Sequence, residues 1–201
     1  MNRCRYNELE PRGGLKLTQA QTFDPRSIAN LILDMADDEG YNITPLALQK
    51  LLYFAHGLYL IRHNAPLVSG CFEAWQNGPV HPLVYKCFKS SGRLPIRTRA
   101  KKKDIRTGQE FDIDLVEDVH ARRIVRSIVS NYGHMNPWQL VQISHAEDSP
   151  WDVVVNKAKT SIALGLRISD TTTKDFFKNQ KVSISSEPPK NAPEEDSPFA
   201  A

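Results

Sequence analysis

Residues 46–67 read LALQKLLYFAHGLYLIRHNAPL, and residues 72–89 continue FEAWQNGPVHPLVYKCFK. The first half carries Leu48, Leu51, Leu52, Ala55, Leu58 and Tyr59 at helical spacing, a broad apolar face over some four turns. Thr44-Pro45 just before it is a start signal. The threonine oxygen accepts an orphan N–H of the first turn, and proline next to it has no N–H to leave unpaired. The second half changes period. Cys71–Gln76 (CFEAWQ) reads as a short strand stopped by Asn77-Gly78-Pro79, where Gly78 supplies a positive φ and Pro79 prevents extension. His81-Pro82 then opens a helix over residues 81–90 that ends near Gly92.

Outward from this segment the same start signal recurs at Asp24-Pro25, Asn136-Pro137 and Ser149-Pro150. Asp24 is followed by Ile28, Leu31, Ile32 and Met35, with Gly40 as the stop. Residues 117–132 place Ala121, Ile124, Val125, Ile128, Val129 and Tyr132 on one face before Gly133. Asn136–Ser144 and Ser149–Ala158 are short helices. Asp170–Asn179 is a weaker one, with Phe176 and Phe177 to seal the core behind a poor Thr171–Thr173 start. Phe111–Leu115 and Leu164–Ile168 are the remaining strand candidates. The fold class expected is mainly α: a compact multi-helix domain with a few short strands.

The 201 residues suit one domain. With 40% apolar and 24% charged residues, the chain is neither collagen, rod nor wholly disordered. Residues 1–22 lack apolar periodicity and read as a flexible N-terminal arm. Residues 183–201 hold four prolines and four acids against one lysine, a disordered acidic tail. The domain is expected over 23–182. Its charge is higher than the overall +3 because the tail removes three. Cys4, Cys71 and Cys87 have no paired spacing, which points to a reducing compartment. No apolar run reaches the ~18 residues of a membrane span, and no signal peptide is evident. A cytoplasmic protein without a membrane partner is expected.

The catalytic signatures GxSxG, Walker loop and HExxH are absent from the sequence. His56 and His63 are seven apart, not the four of a zinc helix, and Cys71, His81 and Cys87 add no paired spacing. No enzyme, metal or cofactor is expected. The basic segment is the main competing feature. Arg93, Arg97, Arg99, Lys101, Lys102, Lys103 and Arg106 fall within fourteen residues, opposed only by Asp104. It reads as a solvated loop, a phosphate-binding stripe for nucleic acid, or a seat for an acidic partner or the chain's own tail. Base-stacking aromatics are not interleaved. The Phe199-Ala200-Ala201 end reads either as an ordinary terminus or as a tag read by AAA+ proteases.

Three motifs in order, LQKLLYFA at 48–55, EAWQNGPVHPLVY at 73–85 and SHAEDSPW at 144–151, resemble the Panacea domain of the SocA-like antitoxin family, formerly catalogued as phage-associated GepA-like proteins. The resemblance runs from about Asp24 to Phe177. It implies a helical antitoxin, encoded beside a toxin and neutralising it by direct protein–protein binding. It also implies, for some members, a proteolytic adaptor delivering the toxin to a cytoplasmic AAA+ protease. The toxin itself is not identified by the domain. The expected contact surface is a groove edged by the second helix and the EAWQNGPVHP turn, with Gln49, Lys50, Trp75, Gln76 and Tyr85 as partner-binding residues. Structural roles compete at each. Lys50 either snorkels along the helix or pairs with an acidic toxin group. Trp75 is core or hot spot, and Tyr85 packs inward with its hydroxyl at the rim. Ser149 reads as a helix N-cap. His145 and Glu147 are a bonded corner or the lip of a groove.

Overall fold

In the computed structural model, residues 22–160 and 166–179 are described. Residues 1–21 of the expected 1–22 arm, the whole expected tail at 183–201, and residues 164–165 of the 164–168 strand candidate lie outside them. Among the described residues seven helices form: α1 (Pro25–Asp38), α2 (Pro45–His63), α3 (Pro82–Phe88), α4 (Val119–Tyr132), α5 (Pro137–Ser144), α6 (Pro150–Thr160) and α7 (Asp170–Asn179). Five short strands accompany them: β1 (Phe72–Trp75), β2 (Gly78–Val80), β3 (Lys101–Lys103), β4 (Glu110–Asp112) and β5 (Arg167–Ile168). The fold is mainly α with minor β, as the periodicity implied.

The start signals work as local chemistry demands. Asp24 Oδ1 accepts Arg26 N at 2.9 Å, and Thr44 Oγ1 accepts Ala47 N at 3.3 Å. Ser149 Oγ accepts Asp152 N at 3.1 Å. Asn136 and Gln139 form a reciprocal capping box. The threonine-rich start of α7 holds because Ser169 Oγ accepts Thr172 N at 3.1 Å.

Helix α2 is apolar on nearly every side, so it is the central helix, with α1, α4, α5 and α7 packed around it. Its residues Leu48, Leu51, Leu52 and Ala55 have no exposed surface. Helix α7 closes on it through Phe177, which meets Tyr53 edge-on at 5.6 Å between ring centroids. At Gly57 an added Cβ would stand 2.7 Å from the Phe177 ring, so only glycine allows this approach.

Two strand expectations are corrected. Pro79 does not stop a lone strand. The chain reverses at Asn77 and returns as β2, antiparallel to β1, in a sheet of order β2-β1-β5. Proline is tolerated there because β2 is the edge strand. The basic segment is not simply a loop either. Lys101–Lys103 pair with Glu110–Asp112 in a separate hairpin, so the strand expected at 111–115 begins one residue early and stops at Asp112. The base of this hairpin is fixed to α1. Asn30 donates to Ala100 O at 3.0 Å and accepts from Ala100 N at 2.8 Å, imitating a strand neighbour.

Candidate functional site

The three sequence motifs meet in space. From α2, Lys50 Nζ donates to Pro79 O of β2 at 3.0 Å, and Gln49 Oε1 accepts His81 N at 2.8 Å. From the other side, Trp151 of α6 donates its indole N–H to Trp75 O of β1 at 2.7 Å. One hairpin, β1–β2, is thus held by side chains 29 to 76 residues away in sequence. Gly78 is the tight point, at φ +103°. A Cβ there would lie 2.6 Å from Ser144 Oγ of α5 and 3.0 Å from Lys50.

The α5–α6 corner completes the cluster. His145 stacks flat on Trp151, ring centroids 3.6 Å apart and planes within 8°. Its Nε2 is buried with no hydrogen-bond partner among the described residues. Burial, and secondarily the nearby positive charge of Lys50, push its pKa down to about 3. The imidazole is therefore neutral and acts as a flat apolar plate. His145 joins the corner by stacking, not through the expected hydrogen bond back across it.

Of the five residues expected to contact a partner, three are interior. Lys50 has no exposed surface, so it does not snorkel along the helix, and Gln49 and Trp75 are 3% and 7% exposed. The groove expected between α2 and the EAWQNGPVHP turn is filled by these side chains. Trp75 donates to Glu73 Oε2 at 2.9 Å and meets the half-buried Tyr85 edge-on at 4.7 Å. Gln76 is exposed at the hairpin turn, and Leu83 on α3 is exposed as well.

The basic segment is largely spent on the protein itself. Arg99 ion-pairs with both Asp34 and Asp37 of α1 at 2.6 Å each. Lys102 meets Asp114 at 2.8 Å, Lys101 meets Asp112 at 3.8 Å, and Arg97 donates to Asn42 Oδ1 at 2.8 Å. Arg93 is also engaged. Lys103 and Arg106 are exposed near the hairpin tip. Acids of α1 and of the 110–114 segment thus neutralise Arg99, Lys101 and Lys102, three of the seven cations that the sequence displays.

Two features escaped the sequence reading. One is a cleft of about 590 Å³ between α2, α4, α5 and α7, lined among others by Phe54, Leu58, Ser127, Ile143, Ser144 and Phe177. The other is the outer face of α4. Val119, Arg122, Arg123, Arg126 and Ser130 recur at helical spacing there and are all exposed. The visible signal was this polar period, the complement of the apolar face read from the same helix. Among the described residues no three His, Cys, Asp or Glu side chains converge as metal ligands. No described helix is long and apolar enough to cross a membrane.

The signature residues therefore join α2, the β1–β2 hairpin and the α5–α6 corner into one packed helical scaffold. Residues 48–152 match the family described as "Antitoxin SocA-like, Panacea domain", and the chain belongs to this family. It is 47% identical over 173 residues to the protein named antitoxin SocA of Caulobacter vibrioides (strain NA1000 / CB15N), covering 86% of this chain and 92% of that protein. No solved structure matches the chain.

Proposed function

We propose that this chain is an antitoxin that neutralises a partner toxin by binding it directly. The observation that carries the reading is the 47% identity to a protein named antitoxin, sustained over 86% of the chain. The geometry agrees with a binding role. Lys50, Gln49 and Trp151 tie the three motifs together by hydrogen bonds, and the product is a packed body that supports the surface around it. Preorganisation of this kind lowers the ordering cost of association. Of the sequence-chosen residues, Gln49, Lys50 and Trp75 act from beneath by fixing the hairpin. Gln76 and Tyr85, which reach the surface, are the two that contact the partner in this reading. The role is non-enzymatic and takes no cofactor.

Neutralisation proceeds by covering the toxin's active surface, in an interface on the order of 1,600 Å², or by presenting the bound toxin to an AAA+ protease. The test is to express the neighbouring reading frame in cells with and without this chain and follow growth and toxin lifetime. Rescue of growth supports the antitoxin reading. A toxin lifetime that shortens only when both this chain and the protease are present supports the adaptor route. A lifetime that is unchanged while growth recovers leaves occlusion as the whole mechanism.

A further inference from the structure

We infer that the toxin is captured along α4, with apolar side chains of a toxin segment entering the cleft between α2, α4 and α7 and acidic side chains of that segment meeting Arg122, Arg123 and Arg126. This rests on the antitoxin reading and adds to it a place and a partner chemistry.

The argument starts from charge. In the conspicuous basic stretch around β3, Arg99, Lys101 and Lys102 are ion-paired with Asp34, Asp37, Asp112 and Asp114. The α4 arginines are not. None of the three forms an ion pair among the described residues. Arg122 donates one bond, to Val116 O at 3.1 Å. Asp118 is used as the helix cap, accepting Ala121 N at 2.7 Å, and the exposed Glu117 pairs with none of them. Three guanidinium groups on one helix face, without acids to satisfy them, call for an acidic partner.

Apolar surface runs beside this charge. Leu115 is 81% exposed and Val119 58%, at the start of the same face. At the other edge Arg123, Ser127 and Asn131 form one row at four-residue spacing, and the last two line the cleft. Its walls are mostly aromatic and aliphatic, with Tyr53, Phe54, Phe176 and Phe177 among them. About 590 Å³ admits several bulky side chains but no folded domain. The cleft end at Ser144 also touches the hairpin turn, because Ser144 Oγ packs against Gly78.

The support is stiff. The opposite face of α4 carries Ala121, Ile124, Val125, Ile128 and Val129, all buried in the core. The helix backbone is therefore held in place under the three arginines, which leaves side-chain ordering as their main cost on binding. A protein segment fits better than nucleic acid, since phosphates need the arginines but not the apolar cleft or the exposed Leu115 and Val119.

The test uses the full chain and the purified product of the neighbouring reading frame. Two variants are compared with wild type, each checked for an unchanged fold by circular dichroism and melting. R122E/R123E/R126E reverses the face, and S127W fills the cleft. Affinity is expected to fall roughly 100-fold for the triple variant and at least about tenfold for S127W. The wild-type affinity is expected to weaken with salt. Both variants binding within threefold of wild type would overturn the inference while leaving the antitoxin reading intact. Absence of binding by wild type overturns the antitoxin reading itself. Duplex DNA bound through these arginines, with toxin binding unaffected by R122E/R123E/R126E, makes nucleic acid the occupant and also overturns it. So does a shift of the α4 amide resonances when Glu194, Glu195 and Asp196 are replaced by lysine in the toxin-free chain, since the occupant is then the chain's own acidic segment.

Discussion

A lysine with no exposed surface must give its ammonium protons to partners or lose more than it gains by burial. Lys50 donates to Pro79 O at 3.0 Å and has further contacts in the packed cluster. Lys50→Ala removes the donor, strands the buried Pro79 carbonyl and leaves a cavity. The expected loss is about 2–4 kcal/mol in a urea titration; a loss under 0.5 kcal/mol would mean the lysine is not structural. His145 makes the opposite bargain by staying neutral. Its folded pKa of about 3 lies below the ordinary value of 6.5. Between those values the unfolded chain takes up a proton that the native one refuses. This contribution to stability is complete above about pH 6.5 and is lost as pH falls toward 3. His145→Phe keeps a ring on Trp151 and removes the titration, so its urea midpoint should change less than that of wild type between pH 7.5 and pH 5. Equal slopes would contradict the buried neutral imidazole. Neither residue was legible from type alone. Lysine and histidine are surface residues by habit, and what buries them here are partners from β2 and α6, elements that sequence spacing does not bring near.

At the level of elements, what was readable is what is local. Asp24, Thr44, Asn136 and Ser149 announce helices because a cap and the N–H it satisfies lie within three residues. The hairpin β1–β2 was read only as a strand and a stop, since its return strand is three residues long and contains Pro79. The β3–β4 hairpin was half seen, because Asn30 and Arg99 fix its base to α1 from about 65 to 70 residues away. Two glycines test these packings. Gly78→Ala puts a side chain at φ +103° against Ser144 and Lys50, and should cost about 2–3 kcal/mol, read by thermal or urea unfolding. Gly57→Ala gains up to about 1 kcal/mol of helix propensity but drives a methyl into the Phe177 ring. The clash is expected to win locally, with faster amide exchange over 170–179 and little change in α1. Unchanged exchange in α7 would show that Phe177 moves aside at no cost.

For the whole molecule, the three motifs in order carried the resemblance to the family, and the packing joins them: LQK, EAW–GPV and SPW are parts of one cluster. The partner surface was less legible. Sequence reading placed it where the motifs are densest; Gln49, Lys50 and Trp75 of that segment are interior, Gln76 and Tyr85 reach the surface, and three arginines without ion pairs among the described residues lie on α4. Gln76→Ala with Tyr85→Ala removes side chains at the hairpin surface without opening the core, so it should weaken toxin binding about two- to tenfold by calorimetry and spare the fold. No change in affinity would leave the hairpin outside the interface. The most direct measurement of the central claim is growth of cells expressing the neighbouring reading frame, alone and together with this chain, followed by co-purification from the same cells. The frame alone should arrest growth, and with this chain growth should recover and the two proteins should purify as a complex. A frame product that is equally toxic in the presence of the folded chain, with no complex recovered, would contradict the account.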